Sequence, residues 1–242
     1  MSDDELPASI EAAWGLQVRP GPGRRPGLSL DRIVDAAVDL ATREGLASVS
    51  MVRVSKQLDV STMALYRYVG AKDELLDLML DAGIGPPPAP DAETGWRQGL
   101  SSWSWAYLAA LRRNPWMLHI PITAPPITPN QIAWLEEGLT RLRDHAIAEN
   151  EKVSVIMLLS GFVRNWAGLT LSSHAADDKR PRVAYGTALV RLVDENRFPA
   201  ISAAIAAGAL DDNWDDIDAE FTFGLGRILD GVAALRSSPK QD

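Results

Sequence analysis

The chain has 242 residues, a formal net charge of −8 and no cysteine. Disulfides and thiolate-bound metal are therefore excluded, and no early apolar run has the form of a signal peptide. No stretch reads as long enough to span a bilayer, so the expectation is a cytoplasmic protein with no membrane partner, built as one large domain or two modest ones.

Residues 1–20 form a mildly acidic leader. Ile10 and Trp14 are four apart, so a short helix over 7–14 puts both on one face, either docked on a neighbour or mobile. Residues 19–27 read RPGPGRRPG, too rich in proline and glycine for a helix. Arg24 and Arg25 suit an arm that enters the DNA minor groove, and they suit a charged linker equally well. A helix is predicted over 30–44, capped by Ser29, with Ile33, Val34, Ala37 and Leu40 at helical spacing and Gly45 as its end.

The stretch 50–72, SMVRVSKQLDVSTMALYRYVGAK, organises the rest. Met51, Val54 and Leu58 share one face of a helix over 50–58. Asp59, Val60 and Ser61 break it, because short polar side chains compete for the backbone. Ser61 then caps a second helix predicted over 62–69, and the pair has the helix-turn-helix pattern. Leu65 and Val69 point inward. Thr62, Met63, Ala64 and Arg67 are left for base edges or phosphate, with Tyr66 and Tyr68 suited to phosphate. Lys72 opens the next helix, predicted over 73–80, where its ammonium and the helix N-terminus make a phosphate anchor. Two short helices and a turn also occur in helical proteins with no DNA partner, and the tyrosines are then half-buried packing residues.

The negative net charge looks wrong for a DNA binder, but its distribution is uneven. From Arg19 to Lys72 nine basic residues, Arg53 among them, face five acids, so this segment carries about +4 and is the one that must meet phosphate.

The run from Leu28 to about Leu80 resembles the N-terminal domain of TetR-family transcriptional regulators. The likeness is carried by the first helix ending in EGL, the apolar Leu58 and Val60, the LYRYV core from Leu65 to Val69, and KDELL from Lys72. The resemblance implies phosphate contacts at Ser50, Tyr66 and Lys72, with Tyr68 where a His is more usual. It implies base contacts at Thr62, Met63 and Ala64, with Arg67 as a further candidate. Val52 sits where some members carry a base-reading Arg, Ser55 replaces a usual Ala, and Asp59 a usual Gly. These departures bear on the operator sequence, not on DNA binding itself.

Residues 83–90, GIGPPPAP, mark a linker that no helix crosses. The expected layout is a leader and arm over 1–27, a DNA-binding domain over 28–82, a linker over 83–93 and a larger helical domain over 94–242. In that last domain helices are predicted over 94–113, 129–149 (with Thr128 as cap), 152–172, 183–196, 199–208 and 214–235. No alternating pattern marks a strand, so the fold class is all-α.

Six of the eight tryptophans lie in this domain before residue 170. Such aromatics fill a core or line a cavity for an apolar ligand. Trp103, Tyr107, Trp116, Phe162 and Trp166 are the aromatic candidates, with His119, Asn165 and Thr170 as polar residues inside apolar runs. A buried polar group needs a partner, which is either an internal network or a ligand. RNPWMLHIP and PPITPNQIAWLE resemble the C-terminal domain of many TetR-like regulators, which implies a small-molecule effector. Gly161 and Gly168 are seven apart, as are Gly224 and Gly231. With Ile228 they mark two helix faces for close packing, either inside one subunit or in the four-helix dimer that the resemblance implies. A homodimer sets two recognition helices about 34–36 Å apart on a palindromic operator.

The rival functions leave weaker traces. No catalytic constellation, phosphate loop or cofactor motif appears, and His119 has no second metal ligand at suitable spacing. A protein-binding adaptor with a helix-turn-helix shape and a transcriptional activator remain alternatives to a repressor.

Overall fold

The computed structural model describes residues 6–16, 28–89, 95–122, 125–175, 185–210 and 217–235. Every regular element among them is helical, as predicted. The order is α1 (Ala8–Ala13), α2 (Leu30–Glu44), α3 (Met51–Gln57), α4 (Thr62–Leu65), α5 (Lys72–Ile84), α6 (Trp96–Arg113), α7 (Pro129–Arg141), α8 (Glu149–Ala175), α9 (Tyr185–Leu192), α10 (Pro199–Ala206) and α11 (Ile217–Ala234). Short 3-10 turns at Leu46–Ser48 and Pro115–His119 join α2 to α3 and follow α6.

Three serines start the first three helices of the head. Ser29 Oγ accepts the Arg32 N–H at 3.3 Å, Ser50 Oγ the Arg53 N–H at 3.2 Å, and Ser61 Oγ the Ala64 N–H at 3.3 Å. Each closes a first-turn donor that the helix cannot satisfy itself. α2 then packs on α3 and α5, burying Ile33, Ala37, Val54, Leu65 and Leu75 completely.

Two head helices differ from expectation in length. Regular helix in the second part of the motif stops at Leu65, short of the predicted residue 69. The Leu65 carbonyl takes the N–H of Tyr68 at 2.8 Å and of Val69 at 3.0 Å, a tightened last turn. α5 runs one turn past the predicted 80, to Ile84. Gly83, expected to open the linker, is therefore helical. A Cβ on it would come within 2.6 Å of Met117 Sδ and 2.7 Å of Trp116 Cη2, so this turn of α5 approaches the body only as glycine. Gly85, at φ 65°, ends the helix, and three prolines follow.

The body packs α6 against α7 and α8, with α11 against both α8 and α6; Leu100, Leu108, Leu111, Val163 and Phe221 are at its centre. α7 ends at Arg141 rather than at the predicted 149. Leu142 and Ile147 both reach the core, and residues five apart fall on different faces of a straight helix, so the chain must bend between them. Thr128 occupies the cap position of α7, but its hydroxyl does not cap it. The Asp81 carboxylate of α5 does so instead, accepting the Asn130 N–H at 2.8 Å and the Gln131 N–H at 3.0 Å.

α8 corrects one sequence expectation. Glu149–Leu171, 23 residues at a mean hydropathy of 1.3, is long and apolar enough to cross a membrane by length and composition, and 33% of that window is buried within the chain. Val155, Ile156, Leu159 and Val163 enter the core, while Met157, Leu158 and Leu169 lie exposed on the other side. The two apolar faces together produce the high hydropathy.

Candidate nucleic-acid interface and effector domain

The outer face of α4 presents the side chains expected of a DNA reader. Leu65 and Val69 are fully buried, which fixes the rotation of the helix. Met63 is then 74% exposed and Tyr66 46% exposed, with Arg67 and Lys72 exposed beside them and Thr62 and Ala64 half-buried. Ser50 uses its oxygen as the α3 cap, which leaves its proton free for a phosphate. Arg53 is exposed and pairs with Glu44 at 2.7 Å. A surface pair of this kind holds loosely enough for phosphate to compete. The turn between α3 and α4 contains Asp59 at φ 55°. Asp is one of the few side chains that tolerates the left-handed region, so it supplies the turn that Gly usually makes.

Among the sequence-derived contacts, Tyr68 has a different role from the one expected. Tyr68 is half-buried and its hydroxyl donates to the Leu28 carbonyl at 2.8 Å. Its proton is spent there and is not offered to a phosphate; instead it anchors the start of the head beside α4. Arg24 and Arg25 lie outside the described residues. Val52, unlike a base-reading Arg, gives α3 an apolar surface, 64% exposed.

The head is joined to the body by directional bonds. Asp81 also accepts from Asn130 Nδ2 at 3.1 Å. Trp116 Nε1 donates to Thr42 Oγ1 at 3.1 Å, Asn114 Nδ2 to the Gly83 carbonyl at 2.8 Å, and Trp134 Nε1 to the Gly85 carbonyl at 2.9 Å. Trp116, an effector-site candidate from the sequence, lies at this seam. Arg164 of α8 donates to the Met117 carbonyl at 3.3 Å, linking the body's longest helix to the same turn.

The other effector candidates fall into separate places. Trp103 and Tyr107 are buried with Trp134, and Trp103 Nε1 donates to the Trp134 carbonyl at 3.0 Å. Phe162 stacks on both Phe221 and Trp166, Trp166 is tilted against Phe221, and the Trp105 ring is 4.6 Å from Phe221. Trp166 Nε1 is buried with no acceptor among the described residues. Thr170 is buried and returns its hydroxyl to the Trp166 carbonyl at 3.0 Å. His119 and Asn165 are exposed. The candidates therefore form two separate aromatic clusters, Trp103 and Tyr107 around Trp134 and Phe162 and Trp166 around Phe221, with Thr170 one turn along from the second. Sequence reasoning missed Trp105 and Phe221 as members; Phe221 had the signal of an apolar stripe on α11, and Trp105, off the main stripe of α6, had none. A cleft of about 410 Å³ lies apart, between the start of α6 and α11, lined by Trp96, Arg97, Ser101, Thr222, Leu225 and Leu229. Among the described residues no cluster suits a metal ion.

The four glycines also divide. Gly161, Gly168 and Gly231 have open space where a Cβ would stand, whereas one on Gly224 would come within 2.8 Å of Phe162. Gly224 thus serves close packing inside the chain. Ile228 is half-buried on the same helix.

Known proteins share this arrangement. Residues 33–79 match the family described as bacterial regulatory proteins, tetR family, and residues 89–236 the tetracyclin repressor-like C-terminal domain. A transcriptional repressor of Streptomyces coeruleorubidus, DrrR1, is 35% identical over 96% of this chain and 87% of its own. An HTH-type transcriptional regulator of Saccharopolyspora erythraea is 28% identical over 87% of this chain and 86% of its own. The crystal structure of Streptomyces coelicolor ActR in complex with actinorhodin superposes with a TM-score of 0.72 at 26% identity, covering 86% of this chain and 98% of that one.

Proposed function

Since the chain belongs to the TetR family of bacterial regulatory proteins, and is thus a ligand-responsive DNA-binding transcription factor rather than an enzyme, we propose that it is a cytoplasmic homodimeric repressor, released from a palindromic operator by an aromatic effector. In this reading residues 28–82 bind DNA and residues 94–242 carry the effector site and the dimer face. The exposed Met63, Tyr66 and Arg67 beside Lys72, held on a serine-capped scaffold, are the observation that carries it.

Met63 and Val52 offer apolar contact to thymine methyls, and Arg67 to guanine or phosphate. Ser50, Tyr66 and Lys72 take phosphates and set the register. A second copy covers the exposed side of α8 and α11. Met157, Leu158, Leu169 and Phe223 supply the apolar area, and the open Gly161, Gly168 and Gly231 permit close approach.

The Trp105–Phe162–Trp166–Phe221 cluster is the effector site we favour. Its rings suit a planar aromatic molecule, and the unpartnered Trp166 Nε1 suits an acceptor on it. ActR, whose structure holds actinorhodin, supports the same class. An effector that spreads these rings displaces α8. Arg164 passes that displacement to the Met117 turn, which lies on Gly83 of α5, and α5 starts at Lys72. Release by a factor of ten takes about 1.4 kcal/mol of differential binding between the two head spacings.

The test is binding to a labelled duplex from the gene's own upstream region, titrated with salt. The expected result is tight binding that falls steeply with salt, with the slope reduced by about 1 for Lys72→Ala. Binding no tighter than to random DNA, in a folded dimer, overturns operator recognition there.

A further inference from the structure

Ser55 is 4% exposed and lies on the inner side of α3. Its Oγ is 2.9 Å from the Val52 carbonyl and 3.0 Å from Thr62 Oγ1. A carbonyl only accepts, so both contacts are made together only when the single Ser55 proton goes to Val52. A serine hydroxyl has no second proton. The bond to Thr62 is therefore made with the Thr62 proton, and Ser55 accepts it. Thr62, the first residue of α4, is left with lone pairs alone to offer outward.

We infer that Ser55 is a specificity-determining positioning residue, which turns Thr62 into an acceptor that reads only base amino groups. In the major groove those are adenine N6 and cytosine N4. Phosphate oxygens, guanine O6 and N7, and thymine O4 are acceptors, and Thr62 has no proton for them. The alanine variant at position 55 removes the acceptor, and the Thr62 hydroxyl then turns freely and donates to any of these. The half-site base beneath Thr62 is thus adenine or cytosine, although Ser55 never touches DNA. This rests on the operator-binding reading above.

The test selects duplexes from a random library with the full-length wild type, Thr62→Val and Ser55→Ala, each checked for folding by thermal melting. Thr62→Val keeps the shape and loses both hydrogen-bonding roles, so the symmetric pair of positions where it alone relaxes preference identifies the base under Thr62. At that pair the wild type is expected to favour adenine or cytosine by roughly threefold to tenfold, the range of one net hydrogen bond. Ser55→Ala is expected to admit guanine or thymine there, with preferences elsewhere unchanged. A wild-type preference for guanine or thymine at that pair overturns the inference, as does an Ser55→Ala profile identical to wild type. A uniform loss of affinity with the profile kept assigns Ser55 a purely structural role and also overturns it. Failure of the wild type to enrich any sequence counts instead against operator binding itself.

Discussion

At Asp81 a single carboxylate in α5 takes three N–H donors of the body, two of them first-turn amides of α7. It is 8% exposed, so its loss leaves buried donors unpaired. Asp81→Ala is expected to lower stability by about 2 kcal/mol, with Asp81→Asn retaining part of the loss, measured by urea denaturation. Asp77, one turn earlier, behaves oppositely. Burial, then the nearby Asp73 and Glu74 carboxylates, raise its pKa above the usual aspartate value. The folded protein therefore holds this proton more tightly than the unfolded chain. Its contribution to stability is present below the unfolded pKa and is lost as pH rises through the folded one. Asp77→Asn is expected to raise the melting temperature at neutral pH and to leave it nearly unchanged in acid; an equal gain at both pH values counts against this account. The serine caps were legible in the sequence, because cap and capped amide are three residues apart. Tyr68 and Trp116 were not, because their partners, Leu28 and Thr42, lie 40 and 74 residues away, and spacing carries no information over that distance.

α1 shows how a short element gains a role from its neighbours. Six residues make a helix too short to stand alone in water. Ile10, 2% exposed, holds it against the head. Ser9 Oγ donates to Glu74 Oε2 at 2.5 Å, and Trp14 Nε1 to the Ile127 carbonyl at 2.8 Å. One end thus binds α5 and the other the loop before α7, so α1 spans the seam between head and body. Ile10→Ala is expected to detach α1 without unfolding the rest. Rapid proteolysis of the leader, with the main melting transition shifted by under about 1 kcal/mol, is the expected pattern, since local openings of this kind are independent of global unfolding. The sequence predicted the helix and left its docking open. Helix positions were readable from period and caps, whereas the extra turn of α5 packs through Gly83 under Trp116 and α7 ends where Leu142 turns into the core, both tertiary effects.

For the whole molecule, the apolar outer side of α8 is the face on which the proposed homodimer rests. Met157 and Leu158, 69% and 55% exposed in one chain, sit beside Gly161, where among the described residues no neighbouring element comes within 4 Å of an added Cβ. Met157→Glu with Gly161→Arg is expected to give a folded monomer by sedimentation, with operator affinity reduced at least a hundredfold, since each half-site alone loses the linked second contact. A dimer that survives both changes counts against this face. The seam also has an optical consequence. Trp116 and Trp134, 4% and 5% exposed, each donate their indole N–H across the junction of head and body. Indole emission shifts to longer wavelength when water replaces such surroundings. Any swing of the heads that breaks these bonds therefore changes the intrinsic fluorescence of the unlabelled protein, and a chain without cysteine accepts an engineered thiol dye at one chosen position without competition.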